Sequence, residues 1–126
     1  MFPKYFIIGA INAALSIALG AFGAHGLEGK VSDHLIEVFE TGARYHMYGA
    51  LGLMLISLLA KFIDGGRLLL NGARFVFAGV LLFSGSLYIM ALTDIGKLGM
   101  ITPLGGVAML IGWVCVIISA MKHGRK

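Results

Sequence analysis

The chain has 126 residues; 59% are hydrophobic and only 13% charged, with a net charge of +4 and a mean hydropathy of +0.93. Soluble domains run at about 45–50% apolar and about 25% charged, and a chain this short leaves much of its surface uncovered, so composition excludes a soluble fold. The basic residues sit at the ends of apolar runs, where they mark topology and form no nucleic-acid surface.

Four runs carry no charged side chain: Tyr5–Ala24 (20 residues), Tyr45–Ala60 (16), Phe75–Thr93 (19) and Leu98–Met121 (24), together 79 of the 126 residues. A helix rising 1.5 Å per residue crosses a hydrocarbon core of about 30 Å with roughly 20 residues. The reading is an all-α membrane protein, a single four-helix transmembrane domain over residues 1–126, with spans near 5–24, 45–63, 74–93 and 101–121. The first run starts weakly at Lys4, is long, and is interrupted by Asn12, which argues for a span and against a cleaved leader.

After the first span, Gly26 and Gly29 loosen the chain, and Ser32 or Asp33 can cap a new helix. Leu35, Ile36, Phe39, Ala43 and Met47 then recur on one side, with Glu37, Glu40 and Arg44 on the other. This predicts an amphipathic helix between the first and second spans. It either lies along the interface or lengthens the second span, whose uncharged run is short. Asp64-Gly65-Gly66 and Asn71-Gly72 read as turns, and Asp94-Ile95-Gly96-Lys97 as a tight connection. Thr102-Pro103 suits the first turn of the last helix, where proline breaks no internal hydrogen bond.

With four spans, both termini and the middle loop share one face. Of the ten Lys and Arg residues, seven fall there (Lys4, Lys61, Arg67, Arg74, Lys122, Arg125, Lys126) and three opposite (Lys30, Arg44, Lys97). The positive-inside rule then places both termini in the cytoplasm. The expected location is the bacterial inner membrane.

Two stripes of small residues wind along single helix faces. One is Gly9, Ala13, Ser16, Gly20 and Gly23; the other is Gly105, Ala108, Gly112, Cys115 and Ser119. Such stripes let membrane helices approach closely, within one chain or between copies of it. Cys115, the lone cysteine, reads as a small seam residue.

The densest polar group surrounds the outer ends of the first two spans: His25, Glu40, Arg44, Tyr45 and His46, with Glu28 nearby. Glu40 and Arg44 are four apart, the spacing of a helix-surface ion pair. The same residues read alternatively as a polar binding pocket at the membrane surface, with His25 as its proton-sensitive member. Deeper polar residues are Asn12, Ser84, Ser86 and Thr102. A lone buried asparagine usually bonds to a neighbouring helix, and membrane serines commonly bond to their own backbone. No metal-ligand spacing, nucleotide loop or nucleophile–base pattern is present, so the sequence implies no metal, no cofactor and no catalysis.

Gly20-Ala21-Phe22-Gly23-Ala24-His25-Gly26-Leu27, Thr41-Gly42 with Tyr45, Phe83-Ser84-Gly85-Ser86-Leu87-Tyr88, Ile101-Thr102-Pro103-Leu104-Gly105-Gly106-Val107 and Gly112-Trp113 occur in this order. Together they resemble the YwdK/YgdD-like family of small bacterial membrane proteins, a domain of unknown function, along essentially the whole chain. The resemblance implies four membrane helices and supplies no catalytic residue. It departs at Tyr45-His46-Met47-Tyr48-Gly49: His46 stands where glutamine is usual and Gly49 where a histidine is usual. The sequence therefore favours a structural protein that interacts with membrane lipids, with other proteins or with a second copy of itself. The alternative is a small transporter or channel using the polar cluster near His25, with an unidentified small-molecule ligand.

Overall fold

The computed structural model describes residues 2–123; Arg125 and Lys126, counted in the charge bias, lie outside the described residues. It is all-helical. Helix α1 (Lys4–Ala21) passes into a π turn over Phe22–Gly26, and Gly29 then reverses the chain with φ 76°. The Ser32 hydroxyl accepts the Leu35 amide at 3.2 Å, and Asp33 sits in the first turn, so α2 (Asp33–Phe62) begins with a capped, dipole-matched end. Helix α3 is Gly66–Thr93 and ends at Asp94, whose φ of 55° turns the chain and whose amide meets the Met90 carbonyl at 2.7 Å. A 3₁₀ turn (Gly96–Met100) leads to α4 (Thr102–His123), with Pro103 in its first turn. All four helices are long and apolar enough to cross a membrane.

Two boundaries move relative to the uncharged runs. The amphipathic segment is not separate: α2 is one helix of 30 residues. At 1.5 Å per residue it is about 45 Å long, so its first turns stand beyond a core of about 30 Å. Asn71-Gly72 is no turn. It lies inside α3, which starts at Gly66 and not near residue 74. Gly72 serves packing there: a Cβ would stand 3.0 Å from the Gly112 carbonyl oxygen of α4. Arg67 and Arg74 are exposed, as expected of long side chains that carry their charge to the interface. At the same end, Lys61 Nζ lies 4.6 Å from the centre of the Phe2 ring.

Each helix packs antiparallel on its neighbour in sequence, α1 on α2, α2 on α3 and α3 on α4. The order is an open row, with α2 and α3 more buried than α1 and α4. Leu53, Ile56, Leu69, Ala73, Val76 and Val80 form the larger core, with Tyr5 beside them. Leu27, Phe39 and Ala91 form a smaller one toward the loops that follow α1 and α3.

The glycine stripes lie in the seams of this row. A Cβ on Gly9 would meet the Ala50 carbonyl oxygen at 2.7 Å, one on Gly23 the Phe39 ring at 2.5 Å, and one on Gly20 only the Ala43 Cβ at 3.7 Å. Gly105 faces the Gly79 carbonyl and the Phe83 backbone, and Gly112 faces Gly72 and Val76. Ser16 and Ser119 are buried, while Ala13, Ala108 and Cys115 are half-buried. Both stripes thus face helices of the same chain.

Candidate functional site

Buried positions on α2 include Phe39, Gly42, Ala43, His46, Gly49, Ala50 and Leu53. The three- and four-residue steps define one inward face, and His46, 6% exposed, is a polar member of it, as is Ser57 further along. Its ring bridges two other helices. His46 Nε2 lies 2.8 Å from Asn12 Oδ1 on α1, and Nδ1 lies 3.0 Å from the Tyr88 hydroxyl on α3.

The direction of each bond follows from chemistry. Asn12 Nδ2 donates to the Ile8 carbonyl at 2.8 Å, and a carbonyl can only accept. Asn12 therefore turns its own oxygen to His46, whose Nε2–H must donate. The other nitrogen of a neutral imidazole accepts, so the Tyr88 O–H donates to Nδ1. The result is a directed chain, Tyr88 to His46 to Asn12 to Ile8, in which the neutral ring is satisfied at both nitrogens.

Further ties run along the row. Ser84 donates to the Gly42 carbonyl at 2.7 Å, joining α3 to α2. Ser86 and Thr102 are 2.6 Å apart, joining α3 to α4, and Ser86 also donates to the Phe83 carbonyl at 2.9 Å. Ser119 reaches the Gly65 carbonyl at 3.4 Å. Among the described residues, every buried side-chain nitrogen or oxygen has a hydrogen-bond partner, as the absence of water in lipid demands.

The cluster read from the sequence is divided by the structure. His25, Arg44 and Tyr45 are exposed and Glu40 is half-buried, whereas His46 faces inward to Asn12. Tyr45 instead packs on Phe83, with ring centres 4.9 Å apart, and on Tyr48 at 5.4 Å. These rings line a lipid-facing cleft of about 390 Å³ between α2 and α4, whose walls also include Met109 and Trp113. The Trp113 ring lies over Gly52, where a Cβ would be 2.5 Å from it. Gly49 has no room for a larger side chain, because a Cβ there would collide with Val80. No group of three or more His, Cys, Asp or Glu residues able to hold a metal ion occurs among the described residues.

Sequence reasoning named Asn12 and His46 but placed them in different groups, and it passed over the Tyr88 phenol. The usable signal was the register of α2. His46 shares the three- and four-residue steps of Phe39, Ala43 and Ala50, while Met47, taken as the apolar stripe's continuation, is only half-buried.

The family described as "Protein of unknown function (DUF423)" matches residues 19–106. The chain belongs to this family. It is 51% identical over 119 residues to the UPF0382 membrane protein YwdK of Bacillus subtilis, covering 94% of this chain and 97% of that one. It is 46% identical to the UPF0382 membrane protein SAB0533 of Staphylococcus aureus and 44% identical to SERP0230 of Staphylococcus epidermidis, each over 94% of this chain and 95% of the relative. No solved structure matches it. With four long apolar helices and relatives that are membrane proteins, the chain is a membrane protein.

Proposed function

We propose that this protein is a non-catalytic interaction component of the bacterial inner membrane, with both termini in the cytoplasm. The observation that carries this reading is the use of its deep polar side chains. Asn12, His46, Tyr88, Ser84, Ser86 and Thr102 are all engaged in ties within or between neighbouring helices. Groups arranged in this way hold helices in register and leave α1 and α4 to present apolar faces outward. Ile17 on α1 is 64% exposed and Ile117 on α4 is 56% exposed. Membrane lipids and a second copy of the chain are the partners these faces suit. The orientation rests on the seven-to-three distribution of Lys and Arg.

The test has three parts. Reconstituted in liposomes under a proton gradient, the protein should give no flux above empty vesicles. A flux abolished by His25→Ala would replace this reading with transport. Cysteines introduced at positions 17 and 117 should crosslink to a protein partner or retain co-purified lipid, and failure of both removes the interaction reading. A C-terminal tag should be inaccessible in intact cells; external labelling reverses the topology.

A further inference from the structure

Helices α1 and α3 both lean on α2 and stand apart from each other. The space between them is a cavity of about 240 Å³. At about 30 Å³ per water molecule this holds on the order of eight waters. It is smaller than the roughly 300–1,000 Å³ of a site that encloses a drug-sized ligand, so it admits a head group and not a whole amphiphile. Leu15 and Leu81 stand at its rim, 49% and 53% exposed, so it opens sideways to lipid. Gly85 is part of the wall, and a Cβ there would meet nothing within 4 Å.

Asn12, His46, Ser84 and Tyr88 give the cavity its polar lining. The bond directions leave one unused donor among these side chains. The Ser84 hydroxyl donates to Gly42, the Tyr88 hydroxyl to His46, and His46 Nε2–H to Asn12. The Asn12 amide nitrogen carries two N–H groups, and Ile8 takes one. The second faces no protein acceptor. No lining residue is charged, and a charged head group entering here would be desolvated without a counter-ion.

We propose that this cavity is a lateral binding site for the uncharged, carbonyl-bearing head of a lipid-soluble molecule. The Asn12 N–H donates to the carbonyl, and the hydrocarbon tail leaves past Leu15 and Leu81 into the bilayer. The inference goes beyond the interaction reading, whose own test concerns the outer faces of α1 and α4 and is scored separately from binding at this cavity.

Two probes separate a carbonyl site from a merely greasy one: a decyl-substituted 1,4-benzoquinone and oxygen-free decylbenzene. Binding to the full chain is followed through the Asn12 side-chain amide resonances in selectively labelled protein. The quinone should bind saturably and shift those resonances, at least tenfold more tightly than decylbenzene. Gly85→Leu fills the open wall without touching the Asn12–His46 bridge, and it should weaken quinone binding at least tenfold while the protein's melting temperature holds. Asn12→Leu, if it folds, should weaken binding to the decylbenzene level. The proposal is overturned by an absence of saturable quinone binding, by equal binding of the two probes, or by undiminished binding to a folded Gly85→Leu protein.

Discussion

Adjacent glycines in α4 should respond oppositely to the same substitution. A Cβ added at Gly105 would stand 2.5 Å from the Phe83 nitrogen, 2.8 Å from the Gly79 oxygen and 2.9 Å from the Phe83 Cα. All three are backbone atoms of α3, so no side chain can swing aside. Ordinary contact begins near 3.4 Å, and α3 and α4 would have to separate by up to about 0.9 Å over the contact. Overpacking of this kind costs about 1–3 kcal/mol. The better helix propensity of alanine returns up to about 1 kcal/mol. Gly105→Ala should therefore lose on the order of 1–2 kcal/mol. At Gly106 the nearest atom to a new Cβ is Phe83 Cδ2 at 3.9 Å, so Gly106→Ala keeps the propensity gain and should be neutral or slightly more stable. The gap between the two variants is about 2 kcal/mol, more than tenfold in the unfolding equilibrium at 1.4 kcal/mol per decade. Reversible unfolding in mixed micelles by titration with a denaturing detergent, followed through the single tryptophan, reads this difference. Equal midpoints would show that α4 does not lie against α3 in this register.

Tyr88→Phe removes the O–H that serves His46 Nδ1 and should cost about 1–2 kcal/mol, near the upper range for interhelical bonds in membranes. In a double-mutant cycle with Asn12→Leu in the same micelle assay, additive losses would mean that the two groups do not share the ring. Gly52→Leu should drive the Trp113 ring from its seat on α2; an unchanged emission spectrum would place that ring elsewhere. Ser32→Ala removes the acceptor for the Leu35 amide and should cost about 1 kcal/mol at the helix start. Hydrogen exchange should rise in the first turn of α2 and nowhere deeper; unchanged exchange there would refute the cap.

The class of fold was legible because lipid leaves so few solutions. A backbone without water must bond to itself, and four uncharged runs of this length admit little except four crossing helices. The ends were less legible. Charge marks where hydrocarbon stops, not where a helix stops. Arg67 and Arg74 were read as bounding a loop, yet both lie in α3. Asn71-Gly72 carries turn chemistry, but the close approach of Gly112 uses that glycine for packing instead.

The bridged polar site was half legible, and the reason is geometric. Period 3.6 gives the face on which a residue sits; it gives neither the partner helix nor the depth at which the two meet. His46 lies one residue after Tyr45, so the sequence set it among the groups of the membrane surface. Because α2 continues outward for 12 residues before Tyr45, that level lies well inside the row. Asn12 is 34 residues away in sequence and Tyr88 is 42. What brings them together is the close packing of α1 and α3 on one face of α2, through Gly9 against Ala50 and Gly49 against Val80. Gly9, read from the sequence as packing alone, and Gly49, read only as a departure from the family pattern, together set the reach of the polar chain: widen either seam and the His46 ring can no longer span from α1 to α3.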